Sequence, residues 1–304
     1  YIKILNCFYL KILLLCFIVS YILFNVSLNR YVNKNTIFNN DLNGIDKNIV
    51  KEEEPDIEWF NSKVKNVCII SEDNLRLQGY VLKNKINNYI LLVHGYTSDH
   101  NALINKAKKF YELGFSVLLV DLRSHGKSDG KYITMGVKDS EDIKLWIKYL
   151  KVIENSKYIG LFGISMGGAT VMTSMNDLPS EVKFVIEDCG YTSVWEEFKY
   201  QLNNLFHLPT FPFLYICELY AKIFAKYDFK SYSSIKSISN TKIPLLMIHG
   251  SNDTFVPYYM FEKIYKSCSS KKDKLVVKGA NHTQAELLDS NNYWKKIVEF
   301  IKEI

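Results

Sequence analysis

The segment "GLFGISMGG", residues 160–168, carries an apolar run into a turn with four glycines and sets one serine between two of them. Residues 158–162 have the apolar, aromatic character of a buried strand, and a helical run follows Ser165. A strand that turns at once into a helix presses backbone against backbone, so Gly163 and Gly167 avoid the clash that a Cβ would make. The same turn projects Ser165 Oγ out of the sheet. It also aims the Met166 N–H at that spot from a helix amino terminus, where partial positive charge favours an oxyanion. "GISMG" is therefore G-x-S-x-G in the strand-then-helix setting that exposes a nucleophile.

A serine hydroxyl at neutral pH needs a base, and the base needs an orienting acid. Of six histidines, His282 in "KGANHT" follows the last strand candidate and can reach over the carboxyl edge of a sheet. His249, inside "LLMIHG", reads as packed and hydrogen-bonded, and His94 as a core histidine bracing its loop. His100 and His207 lie in polar or cap segments without a partner pattern. Asp253, four residues past His249, is the favoured acid, giving the chain order Ser165, Asp253, His282. Asp188, ending "FVIED", is its rival, with capping of the next turn as its other reading. The second oxyanion donor falls in "LLVHGYTSD", where Gly95 lets the backbone turn and the Tyr96 N–H can point inward. "DLRSHGKSDG", 121–130, offers Asp121, Arg123, His125 and Ser128 but reads as a polar turn that braces the sheet edge.

Eight strand candidates fall at 67–70, 78–82, 89–93, 116–120, 158–162, 184–188, 245–249 and 274–277. The first three follow closely enough for a hairpin or meander. Helical stretches separate the rest, at about 101–113, after Ser140, after Ser165, at about 258–266 and from 292 to the end. This alternation predicts an α/β fold, a mostly parallel eight-stranded sheet covered by helices on both faces. Residues 191–241 contain no strand pattern and many aromatics, and read as a helical cap over the carboxyl edge, where open α/β sheets hold ligands. The cap's aromatics fit a hydrophobic acyl substrate and equally fit simple packing onto the sheet.

Residues 4–24 are apolar except for Asn6, Lys11 and Ser20, long enough to span a bilayer. The uninterrupted core, 12–24, also suits a signal peptide, but small residues at cleavage offsets are lacking, which favours an uncleaved signal anchor over 1–28. The polar, Asn-rich segment 29–62 reads as a linker, leaving 63–304 as the folded domain. The formal charge is +6 with scattered lysines and no basic stripe carrying interleaved aromatics, which argues against nucleic acid and leaves room for anionic headgroups. Six cysteines form no CxxC and sit with no histidine pair at metal-ligand spacing. Cys68 and Cys189, in or beside apolar runs, read as buried small hydrophobes.

Taken together, "LLVHGY", "DLRSHGKSDG", "GLFGISMGG", "HGSNDTFVP" and "GANH", in this order and spacing, resemble the α/β-hydrolase superfamily over residues 63–304. Within it, the chain is most similar to the YqkD-like and Bem46-like serine hydrolases, which are often membrane-anchored. The resemblance implies Ser165 as nucleophile, Asp253 as acid, His282 as base, and the N–H groups of Tyr96 and Met166 as an oxyanion hole. It implies acyl transfer on esters, thioesters, amides or peptides, with no metal and no cofactor. The leading expectation is a membrane-anchored esterase acting on a small-molecule or lipid-like acyl substrate. A serine peptidase is the alternative if Glu196, Glu197 or Glu218 supplies an acidic subsite for a peptide amino terminus. An inactive binding protein is the third.

Overall fold

The computed structural model describes residues 2–34 and 54–304, so the part of the expected linker at 35–53 lies outside the described residues. One eight-stranded sheet organises the chain: β1 (Val64–Ile70), β2 (Arg76–Leu82), β3 (Asn88–Val93), β4 (Ser116–Val120), β5 (Tyr158–Ile164), β6 (Val182–Asp188), β7 (Leu245–Gly250) and β8 (Lys272–Val277). The spatial order is β1-β2-β4-β3-β5-β6-β7-β8. The β1–β2 and β2–β4 pairs are antiparallel and every other pair is parallel. The expected α/β class and mostly parallel sheet are thus present. Of the two arrangements open for the first three strands, the hairpin is present as β1–β2 and the three-strand meander is not, because β4 inserts between β2 and β3. Strand β3 instead takes parallel partners on both sides, β4 and β5, and only that placement buries all of Tyr89–Val93.

Alternation along the strands builds two cores. Leu91 and Val93 point to one face with Val120 and Leu161, while Ile90 and Leu92 point to the other with Leu119 and Phe162. The first face is covered by α4 (Val137–Val152) and α5 (Met166–Ser174), and the second by α3 (Ile104–Glu112) and the carboxyl-terminal α11 (Ser290–Lys302). The helix expected at 101–113 begins as a 3-10 turn, His100–Leu103, capped by the Asp99 side chain. It stops before Gly114, which sits at φ 99°. Helix α2 is the short Ile57–Asn61 ahead of β1, and α9 (Tyr258–Ser267) and α10 (Ala285–Leu288) complete the carboxyl-terminal half.

The insertion between β6 and β7 is helical: α6 (Val194–Phe206), α7 (Thr210–Tyr220), a π-helical turn (Ala221–Ala225) and α8 (Ser234–Ile238). Helix α1 (Ile2–Leu28) is long and apolar enough to cross a membrane. It does not stand apart from the fold. Its last turns lie on α7, with Phe24 and Leu28 almost wholly buried, each burial worth roughly 1.5–3 kcal/mol. Ser20 Oγ donates to the Phe213 carbonyl, Cys217 Sγ to the Ser20 carbonyl, and Tyr220 Oη to the Phe17 carbonyl. Just beyond, Arg30 donates to the Ser128 and Gly126 carbonyls.

The 121–130 turn performs the bracing expected of it. Asp121 accepts from Tyr80 Oη, from the His100 N–H and ring Nδ1, and from the Lys127 N–H. His100 therefore does have a partner, which its polar sequence neighbourhood did not indicate. Cys189 is buried as expected, but Cys68 is exposed, because alternation in the edge strand β1 turns it to solvent. Arg123 makes a two-point pair with Asp142, at 2.7 Å for both Nε and Nη2, and also bonds Asp73. Both partners of the Arg123–Asp142 pair are buried, so removing one leaves an uncompensated charge. Arg123→Ala should cost about 3–5 kcal/mol in denaturant unfolding. Lys138→Ala, which removes only a half-exposed ion pair with Asp73, should cost under about 1 kcal/mol.

Candidate active site

Ser165 stands between β5 and α5 at φ 55°, ψ −119°, a conformation that side-chain-bearing residues seldom adopt. Its N–H donates to the Asp188 carbonyl at 2.7 Å and its own carbonyl accepts the Ala169 N–H at 3.0 Å, so the turn is bonded on both sides. Steric necessity explains the flanking glycines. A Cβ on Gly163 would lie 2.2 Å from the Gly167 carbonyl oxygen, and one on Gly167 would lie 2.2 Å from the Val93 carbonyl oxygen.

The structure brings Ser165, His282 and Asp253 into one hydrogen-bonded line. His282 follows β8, Asp253 follows β7, and the two loops are tied by the Ser251 N–H to the Val277 carbonyl and the Asn252 N–H to the Ala280 carbonyl. His282 Nδ1 lies 2.7 Å from Asp253 Oδ2, and His282 Nε2 lies 2.8 Å from Ser165 Oγ. With the Nδ1–H donating to the carboxylate, Nε2 is left as acceptor and the serine hydroxyl donates to it. Asp253 Oδ1 accepts the N–H groups of Phe255 and Val256 at 2.9 and 2.8 Å, which fixes the carboxylate plane. Such a line can draw a proton off a hydroxyl while the carboxylate holds the imidazole tautomer. Asp188, the rival acid, does not join it. Its Oδ2 accepts from Tyr293 Oη, and burial raises its pKa to about 6. His249 is packed in β7 with Nε2 bonded to the Val256 carbonyl, and His207 is the carboxyl cap of α6.

Met166 opens α5, so its N–H belongs to the first helical turn, whose donors have no partner within the helix. Gly95 lies against Ser165, since a Cβ there would meet the serine Cβ at 3.4 Å. Tyr96 is thereby carried to the same rim. The loop is braced by two histidines. His94 donates Nδ1–H to the Gly95 carbonyl and accepts the Leu122 N–H at Nε2, and His125 Nε2 accepts the Thr97 N–H. Burial lowers the pKa of His94 and takes that of His125 to about 3, so both accept as neutral rings. Cys189, Asp253 and His282 offer ligand atoms within 4.8 Å of one another. Burial raises the Cys189 thiol well above its usual pKa, which disfavours a thiolate donor there, and Nδ1 and Oδ2 already bind each other.

The pocket in front of Ser165 is walled by Tyr96, Met135, Tyr191, Phe198 and Phe255, with Ser27, Glu197 and Gln201 as its polar points. Of the three acidic candidates, only Glu197 lines it. Glu196 is engaged by Lys263 and Thr192, and Glu218 by Lys230. Gln201 and Ser27 were not singled out in the sequence. Gln201 follows Glu197 by four residues on α6, an i, i+4 spacing that pairs them, whereas Ser27 carries no local signal because it lies in the apolar α1. Glu197 is fully enclosed, and burial, helped by the nearby Asp253 charge, raises its pKa to about 8 against the Gln201 hydrogen bond.

Two measurements follow from this geometry. Gly167→Ala should cost about 3 kcal/mol or more in denaturant unfolding, because backbone must move. Gly168→Ala, whose Cβ would meet its nearest atom only at 3.2 Å, should cost clearly less. Glu197 favours the folded state as a neutral acid. That contribution is fully present below its ordinary pKa of 4.5 and is lost as the pH rises through about 8. Thermal unfolding across this window should show the wild type losing stability by up to about 1.4 kcal/mol per pH unit more than Glu197→Gln.

A family model described as serine aminopeptidase S33 matches residues 84–215. The YqkD protein of Bacillus subtilis is 27% identical over 264 residues, 84% of this chain and 87% of its own. The lysophosphatidylserine lipase ABHD12 of Danio rerio is 25% identical over 191 residues, 60% of this chain and 48% of the lipase. Among solved structures, the Pyrococcus furiosus esterase Pf2001 superposes with a TM-score of 0.66 at 26% identity, covering 84% of this chain and 97% of the esterase. The chain thus has the α/β-hydrolase fold, and it is similar to YqkD over most of its length.

Proposed function

We propose that the chain is a serine hydrolase that cleaves carboxylic ester or thioester bonds of hydrophobic acyl substrates. The observation that supports this reading is the Ser165–His282–Asp253 line opening into a mostly apolar pocket. Ser165 Oγ attacks the acyl carbonyl while His282 Nε2 takes its proton. The N–H groups of Met166 and Tyr96 receive the oxyanion, and each is expected to lower the barrier by about 3 kcal/mol. The imidazolium, held by Asp253, then protonates the departing alcohol or thiol and leaves an acyl-enzyme. His282 next takes a proton from water, whose oxygen attacks the acyl carbon. The acid is released and the serine proton returns. The esterase and the lipase among the comparisons favour an ester substrate. We further propose that α1 anchors the chain in a membrane, on its length and apolar exposed face, with 63–304 as the catalytic part and 191–241 as its cap.

One observation favours the peptidase reading. Glu197 lines the pocket and its Oε2 is buried without a hydrogen-bond partner, where the ammonium of a peptide amino terminus could sit and ionise it. Aminoacyl arylamides assayed beside acyl esters decide between the two. A preference for the amides that disappears in Glu197→Gln would replace the esterase reading.

A fluorophosphonate should label Ser165 in the folded chain. Ser165→Ala should abolish the label and lower kcat on the best ester by at least about 10³-fold, and Asp253→Asn should lower it by about 10²–10⁴-fold. Full turnover by Ser165→Ala would refute the assignment.

A further inference from the structure

We propose that the groove between α1 and the α6–α7 insertion binds the acyl chain of a single-chain, lipid-like ester, so that the amino-terminal helix is a wall of the substrate site as well as an anchor. This rests on the serine esterase reading and adds the substrate class and its binding route.

Four observations carry it. First, the pocket at Ser165 and the groove beyond it share Ser27, Phe198, Gln201 and Phe206 as walls, so one continues into the other. Second, the groove is apolar: Leu23, Phe24 and Leu28 of α1 face Leu202, Leu214 and Phe229 of the insertion. Third, its polar points gather at the Ser165 end. Gln201 Oε1 and Glu197 Oε2 are buried there without hydrogen-bond partners, placed for a hydroxyl or amine of a headgroup rather than for a hydrocarbon. Fourth, α1 and the insertion continue past the groove as an exposed apolar surface. Tyr21 packs on Tyr220 and Phe224, with ring centroids 5.3 and 6.3 Å apart, while Ile22, Tyr21, Phe224 and Ile223 remain exposed. A patch of this kind next to a helix fit for a bilayer gives an insoluble chain a path that never crosses water.

Each methylene that enters the groove should raise kcat/KM about three- to fourfold until the groove is full. The test uses the full chain in phosphatidylcholine–phosphatidylglycerol nanodiscs and alkyl fluorophosphonates of two to twelve carbons. The longest carries a terminal diazirine. Labelling of Ser165 should quicken with chain length, and after photolysis the crosslink should map to residues 22–28 or to α7. Leu214→Trp and Leu23→Trp fill the groove from opposite walls, and each should lower the long-to-short rate ratio at least tenfold. Rates independent of length, or a crosslink confined to residues outside α1, α6 and α7, would overturn the groove while leaving the serine chemistry in place. Failure of every probe to label Ser165 would remove the esterase reading, and the groove proposal with it. The crosslink is read on the unmodified chain, so a variant that does not fold leaves the answer intact.

Discussion

The close approach of α5 to β5 and β3 underlies the rest of the structure. Gly163 and Gly167 let the helix enter against the carbonyls of Val93 and His94, at distances no side chain would tolerate. That contact holds Ser165 at positive φ, a conformation costing of order 1–3 kcal/mol, which the surrounding core must offset. Hydrogen bonds to Asp188 and Ala169 lock the turn from both sides. The hydroxyl is thus presented at the carboxyl edge of a rigid sheet, and every other feature of the site is arranged around that fixed point. Loops can supply the remaining groups because the strands beneath them set where each loop starts.

Burial then divides the polar groups by role. Neutral His94 and His125 hold the loop of Tyr96 through backbone bonds. Asp121 and Arg123 spend their hydrogen bonds on bracing the sheet edge. Asp253 has both oxygens committed, one to backbone N–H groups and one to His282. Among the described residues seven buried side-chain atoms lack a hydrogen-bond partner, and of these only the oxygens of Glu197 and Gln201 belong to residues that line the pocket. Buried polar atoms are normally paired, so these two mark the part of the wall where the proposed substrate contact is polar.

The turn that carries Ser165 was legible because its causes are local. Glycine placement, a strand before and a helix after are all written within nine residues. The loops of Tyr96, Asp253 and His282 could be located from their positions after strand patterns, since a parallel sheet puts all such loops on one edge. The acid was less legible. Asp188 and Asp253 both lie at the carboxyl edge after strand patterns, and only tertiary contacts separate them: the Tyr293 hydroxyl holds one, while His282 and the N–H groups of residues 255 and 256 hold the other. The first three strand patterns leave hairpin and meander open, and the structure takes the hairpin β1–β2 alone, because adjacency in sequence says little about which strand will insert between two others. Cys68 was misread because an apolar run on an edge strand still exposes every second residue.

By itself, then, the amino-acid sequence determined the strand–helix alternation, the serine turn and the apolar character of α1, all of which arise from periodicity and backbone sterics over short distances. Tertiary structure decided the placement of β4 between β2 and β3, the choice of Asp253 over Asp188 beside His282, and the docking of α1 on α7, which brings Ser27 to the pocket of a serine 138 positions away (165 − 27). These depend on which surfaces bury one another, and burial is a property of the assembled chain, set by long-range packing that no local pattern encodes.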